Sequence, residues 1–247
     1  MSAPSFLPIA PGRRLAYHHV AGREPTVLFC GGYTSDMGGT KALALERWCR
    51  AKGRGYVRFD YSGHGRSNGR FEDGSIGDWA EDALAIVDRV ATGPLIVVGS
   101  SMGGWIMLLV ALTRPERVRA LVGIAAAPDF TLDLLSQATA DQRRDLARQG
   151  FWWQPSAYGE PHVVTARLLD DGGEHLLLGG PIAITCPVHL LHGQRDADVP
   201  WQTALRLAER LQSTDVTVEL IKAGDHRLSQ EAHLARIRAA VVRLSSD

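Results

Sequence analysis

The stretch Leu95-Ile96-Val97-Val98-Gly99-Ser100-Ser101-Met102-Gly103-Gly104-Trp105 decides how this chain reads. Its first four residues suit a short buried strand, and residues 105–112 form an apolar run of helical length. Between them, Gly99-Ser100-Ser101-Met102-Gly103 is a tight turn flanked by glycines. A strand, such a turn and a helix hold a serine hydroxyl clear of a sheet, the setting in which serine becomes a nucleophile. A second stretch of the same spacing, Gly65-Arg66-Ser67-Asn68-Gly69, lies in a polar, glycine-rich segment that no apolar helix follows. The spacing is therefore shared by two serines, and the flanks single out Ser101.

Further apolar runs that suit buried parallel strands recur at 26–30, 56–60, 120–125, 188–192 and 216–221. Segments of helical period lie between most of them. Ile76, Trp79, Ala80, Ala83, Ile86, Val87 and Val90 make one stripe, and Leu234, Ile237, Val241 and Leu244 another. Alternation of strand and helix implies an α/β domain whose mostly parallel sheet is covered on both faces. Residues 5–20 read as two short strands joined at Pro11-Gly12 and extending the sheet edge. The alternation breaks once, at 129–181. There a polar helical stretch at 132–148 is followed by Phe151-Trp152-Trp153 and by two short apolar pieces around Asp170-Asp171-Gly172-Gly173. An insertion between core strands, beside loops that carry chemistry, reads as a cap. The expectation is one domain over residues 1–247, with a core at 1–128 and 182–247 and a cap at 129–181.

Lysine plus arginine and aspartate plus glutamate number 27 each in 247 residues, and no dense basic block appears. Nucleic acid is excluded as an expected partner. No window has the uninterrupted apolar length of a membrane span, and the first 14 residues carry no charged-then-apolar leader, so a soluble cytoplasmic protein is expected. Cys30, Cys49 and Cys186 lack the paired spacing of a zinc site. The stretch from Gly31 to Lys41 fails as a phosphate cradle, because no glycine stands five residues before a Gly-Lys-Ser/Thr triplet. Neither metal nor cofactor is expected.

A serine hydroxyl needs a base, and the base a carboxylate to orient it. For a serine on a turn of this kind the chain order is Ser, acid, His. Among the histidines after Ser101, His162 and His175 fall in the cap, His189 and His192 within and at the end of a strand, and His233 on the last helix. His226, in Gly224-Asp225-His226-Arg227, stands in a loop beyond a strand and is the expected base. The loop after the preceding strand offers Asp196, with Asp198 in reserve; Asp225 reads as a turn-former. The oxyanion of an acyl-transfer intermediate needs preorganised donors. The Met102 amide supplies one and the Tyr33 amide, after Gly31-Gly32, the other. Phe130, Leu134, Leu135, Phe151, Trp152 and Trp153 crowd the cap, either lining an acyl pocket or docking the cap on the core.

Four stretches together resemble the α/β-hydrolase superfamily over nearly the whole chain. They are the turn from Gly99 to Trp105, the loop Asp60-Tyr61-Ser62-Gly63-His64-Gly65-Arg66-Ser67, the acid segment His192-Gly193-Gln194-Arg195-Asp196, and Gly224-Asp225-His226-Arg227. The resemblance explains Ser67 as a structural element of its loop. More narrowly, the stretch from Gly38 to Leu45, with Arg58 to Gly63 and Ile184-Thr185-Cys186-Pro187-Val188, is similar to the group of mitochondrial palmitoyl-protein thioesterases that also cleave acyl glucuronides. That similarity implies ester or thioester substrates bearing an acyl chain. The chain departs from many superfamily members at Gly31, where a histidine often stands. Two other readings share these residues: an amidase or peptidase on the same triad, and a non-catalytic binding protein on the same fold.

Overall fold

The computed structural model describes residues 3–155 and 160–245. At its centre β5 (Leu95–Ser100) is buried along its whole length, as a strand covered on both faces must be. It pairs in parallel with β3 (Arg23–Cys30) on one side and β6 (Val118–Ile124) on the other. Outside β3 lies β4 (Arg54–Phe59), also parallel, then β2 (Arg13–Val20) and β1 (Ser5–Ala10), which are antiparallel. Outside β6 follow β9 (Val188–Gly193) and β10 (Val216–Ile221), both parallel. The order across the eight strands is β1-β2-β4-β3-β5-β6-β9-β10. The edge hairpin turns at Pro11-Gly12, where Gly12 takes φ +72°, a value glycine reaches without steric cost.

Helices cover both faces. On one, α1 (Thr40–Ala51) and α8 (Glu231–Ser245) set Ala42, Leu45, Leu234, Ile237 and Val241 against Val27, Ile96, Val98 and Val122. On the other, α2 (Ile76–Arg89), α3 (Met102–Thr113) and α7 (Gln202–Arg210) set Trp79, Ile86, Trp105 and Leu207 against Leu28, Val97, Leu121 and Leu190. Ser75 starts α2 by accepting the Asp78 amide, satisfying an N–H that has no partner inside the helix. α3 has no polar stripe because nearly every one of its side chains is buried.

Between β6 and β9 the chain leaves the sheet. One expectation for this segment needs correction. The polar stretch at 132–148 is two helices, α4 (Phe130–Gln137) and α5 (Ala140–Gln149). They part because Thr139 accepts the Gln142 amide while the Gln142 side chain accepts the Thr139 amide, a reciprocal cap that starts a new helix. A two-stranded ribbon follows, β7 (Phe151–Gln154) paired antiparallel with β8 (His162–Thr165). Of the two apolar pieces around Gly172-Gly173, Leu168-Leu169 lies within one helix, α6 (Ala166–Glu174), started by Thr165, whereas Leu176-Leu177-Leu178 follows the end of that helix. A Cβ at Gly172 would collide with the Thr131 side chain, so glycine lets α6 close on α4. Asp129, ahead of α4, accepts the amides of Leu177 and Leu178 and ties the two ends of the excursion together.

Candidate active site

Ser101 lies between the end of β5 and the first turn of α3, with φ 55° and ψ −122°. A residue with a Cβ visits that region only when its surroundings enforce it. The surroundings here are specific. The Ser101 amide donates to the Ile124 carbonyl at 2.9 Å, and its own carbonyl accepts from Gly104 at 2.8 Å and Ala127 at 3.1 Å. A Cβ at Gly103 would strike the carbonyls of Cys30 and Gly31, and one at Gly99 would strike Gly103. The glycines flanking the serine are thus demanded by close backbone approach, and the turn lifts the hydroxyl out of the sheet.

The loops after β9 and β10 meet that hydroxyl. His226 Nε2 is 3.1 Å from Ser101 Oγ, and His226 Nδ1 is 2.8 Å from Asp196 Oδ2. Because a carboxylate only accepts, the imidazole proton sits on Nδ1, which leaves Nε2 free to receive the serine proton. Asp196 is fully engaged. Its Oδ1 accepts the amides of Asp198 and Val199 at 2.9 and 2.8 Å, and its Oδ2 also meets His192 Nε2 at 3.1 Å. Burial opposes the charge on Asp196. The hydrogen bonds from His192 and His226, the charge of His226 and the Val199 amide outweigh it and hold the carboxyl well below the usual range.

His192 is the participant that sequence reading set aside as a strand residue. Its Nε2 faces two acceptors, Asp196 Oδ2 and the Val199 carbonyl, both at 3.1 Å. The ring proton therefore sits on Nε2, and Nδ1 has no hydrogen-bond partner among the described residues. The signal was present in the spacing: His192 ends β9 four residues ahead of Asp196, on the same loop. Asp198, the reserve acid, is exposed and contributes its amide rather than its carboxylate. Asp225 is a turn-former, its Oδ1 accepting the Leu228 amide at 3.0 Å.

Asp196, Asp198 and His226 each bring one ligating atom within 4.8 Å of the others. Both oxygens of Asp196 and the Nδ1 of His226 are already spent on one another and on the loop amides, so this donor set fits proton transfer better than a cation. Ser67 has no such neighbours among the described residues. Its hydroxyl accepts the Ala16 amide at 2.8 Å and donates to the Asp60 carbonyl at 2.6 Å, fastening its loop to the sheet edge.

The loop after β3 closes on the nucleophile: a Cβ at Gly32 would stand 3.3 Å from the Ser101 Cβ. Tyr33 follows Gly32 directly in this loop, and Met102 is the first residue of α3, where amides have no acceptor within the helix. The Tyr33 side chain reaches up into the excursion. Its hydroxyl donates to the Val163 carbonyl at 2.7 Å, and its ring packs edge-on against Phe71 and His162 and tilted against Phe130. Burial pushes the hydroxyl pKa up.

The aromatic side chains assigned to a pocket divide. Phe130 lies beside both Tyr33 and Trp105, with ring centres 5.7 and 5.8 Å away. Trp152 is buried in the core with its Nε1 donating to Gln154 Oε1 at 3.0 Å. Trp153 departs from expectation: it is 57% exposed, against Phe151 on the outer face of the ribbon. The reason is the alternation of a strand, which turns Trp153 out once Trp152 is turned in.

A mostly parallel eight-stranded sheet with a serine turn after its fifth strand, and an Asp and a His on the loops after its last two, defines the α/β-hydrolase fold. The chain belongs to the α/β-hydrolase superfamily, within the family described as serine aminopeptidase, S33, which matches residues 22–168. It is 43% identical over 232 residues to the Bos taurus palmitoyl-protein thioesterase ABHD10, mitochondrial, covering 93% of this chain and 76% of that protein. The solved structure of alpha/beta hydrolase domain-containing protein 10 from mouse is similar at 40% identity, TM-score 0.91 and 98% of each chain. A putative hydrolase from Agrobacterium vitis S4 is similar at 40% identity, TM-score 0.93 and 98% of each chain. The bovine relative is named as mitochondrial, which does not bear out the expected cytoplasmic location. No helix among the described residues is long and apolar enough to cross a membrane.

Proposed function

We propose that the chain is a serine hydrolase of carboxylic esters or thioesters that works through an acyl-enzyme. The observation that carries this reading is the unbroken line from Asp196 to His226 at 2.8 Å and from His226 to Ser101 at 3.1 Å. In the proposed mechanism Ser101 Oγ attacks the acyl carbon while its proton passes to His226 Nε2, and Asp196 stabilises the imidazolium. The carbonyl oxygen becomes an oxyanion between the Met102 and Tyr33 amides. His226 then protonates the departing alcohol or thiol, and water, deprotonated by the same imidazole, releases the acid. Water is the only co-reactant this scheme requires.

The name of the bovine relative, a palmitoyl-protein thioesterase, supports an acylated substrate, and Phe130 beside Tyr33 is the side chain we assign to the acyl group. Labelling with a fluorophosphonate tests the nucleophile. The wild type should react and Ser101→Ala should not; label that persists in Ser101→Ala but disappears in Ser67→Ala would overturn the assignment. A series of p-nitrophenyl esters from acetate upward tests the acyl site, and a rate that does not rise beyond acetate counts against it. The family description, serine aminopeptidase, makes an amide the rival substrate. A matched ester, thioester and amide decide between the two readings.

A further inference from the structure

Lys41 opens the first turn of α1, next to Thr40 and after the N-cap Gly39. That is an unfavourable place for a cation, because the amides at a helix N-terminus carry partial positive charge. No acidic residue stands in the same turn to offset it. The chain has only three lysines among 27 basic residues, and the glycine-rich stretch before this one does not have the spacing of a phosphate cradle. The side chain instead leaves its helix and crosses to the loop after β10, where its Nζ donates to the Arg227 carbonyl at 2.5 Å.

That carbonyl belongs to the residue immediately after His226. The turn is wound tightly: Gly224 donates to the Ile221 carbonyl, and the Gly224 carbonyl accepts from Arg195 of the acid loop. Leu228 takes φ 44° with its side chain fully buried, and its amide is held by Asp225. A leucine in the left-handed region is strained and stays there only when its neighbours fix it. Asp225 accepts the N–H and Lys41 binds the C=O of the one peptide group, between Arg227 and Leu228, that leads into this kink.

We propose that Lys41 is a positioning residue for the general base, its ammonium clamping the kinked turn that presents His226 to Ser101. The inference rests on the proposed triad. Loss of hydration, together with the charge of Arg227, lowers the Lys41 pKa to about 8, while Asp225 raises it. Both of these charged groups face it from the turn it holds.

The clamp should therefore weaken as pH rises through about 8, because a neutral amine is a poorer donor than an ammonium. Steady-state kinetics on a p-nitrophenyl ester across pH 6–10 tests this. Lys41→Met should lower kcat about tenfold, in line with losing a hydrogen bond from a charged donor, with KM within about twofold and without the wild-type decline near pH 8. Lys41→Arg should recover most of kcat and move the decline to higher pH, since a guanidinium stays charged. A Lys41→Met enzyme with wild-type kcat and the same alkaline limb overturns the inference. If Lys41→Met does not fold, Lys41→Arg decides alone: a limb that stays near pH 8 overturns it. Ser101→Ala separates the two levels of the argument. An active Ser101→Ala sinks the triad itself, whereas an inactive one beside an unaffected Lys41→Met sinks the clamp alone.

Discussion

Ser101 was legible because its flanks are strong signals: four β-branched or aliphatic residues before it and an unbroken apolar run after it. Its partners were less so. Asp196 and Asp198 are the same residue type two positions apart in one loop, and periodicity carries no information on where loop side chains point. The structure separates them by burial and by donors, giving Asp196 two amides and two imidazoles and leaving Asp198 in solvent. His192 was read as filling a strand end, which is true of its place but omits its bond to the acid. That bond predicts a measurable effect. His192→Leu should lower kcat by about tenfold or more, on the ~1.5–3 kcal/mol that a hydrogen bond to a charged group contributes, and leave KM close to wild type. Active-site titration would keep the comparison to folded enzyme. An unchanged kcat would mean that the two loop amides and His226 suffice to hold the Asp196 carboxylate.

At the scale of elements, the central strand β5 stands out because its first four residues are a continuous apolar run buried on both faces, so that composition and position coincide. The segment between β6 and β9 offers no such signal. α5 has no buried residue, and its boundary is set by the Thr139 and Gln142 cap, a two-residue feature inside a polar stretch. The ribbon of β7 and β8 is four residues to a strand, too short for alternation to be recognised before its partner is known. Once the pairing of Trp152 with Val164 is established, the two adjacent tryptophans acquire opposite roles. Trp152→Ala should cost about 3–5 kcal/mol, as removal of a buried aromatic does. Trp153→Ala should stay within about 0.5 kcal/mol of wild type, as exposed positions usually do. Urea titrations of the two variants check this, and equal losses would mean that the ribbon does not dock by its Trp152 face.

For the molecule as a whole, two apolar layers meet on one sheet, and the stability they generate should depend on pH through a histidine outside the line of Asp196, His226 and Ser101. His64 is buried where its ring packs edge-on against Tyr61, Phe71 and Trp79, with Nδ1 3.2 Å from the Ser62 carbonyl. Its Nε2 has no hydrogen-bond partner among the described residues. Burial disfavours the imidazolium and lowers the pKa to about 4, against a smaller opposing effect of the Ser62 carbonyl. The folded protein thus keeps His64 neutral at pH values where the unfolded chain, with an ordinary histidine pKa near 6.5, binds a proton. Stability from this group is fully present above pH 6.5 and declines as pH falls from there towards 4, by up to roughly 3 kcal/mol at ~1.4 kcal/mol per pKa unit. The depressed carboxylate of Asp196 acts in the same direction but only at lower pH, through the range where an unfolded aspartate takes up its proton. His18 and His162, whose pKa values burial also lowers, add smaller slopes in the upper window. Unfolding free energies from urea titrations at half-unit steps between pH 7.5 and 4.5 should show the decline, and His64→Phe should flatten it while lowering stability modestly at pH 7. If His64→Phe loses stability towards acid as steeply as wild type, the proton responsible is bound elsewhere.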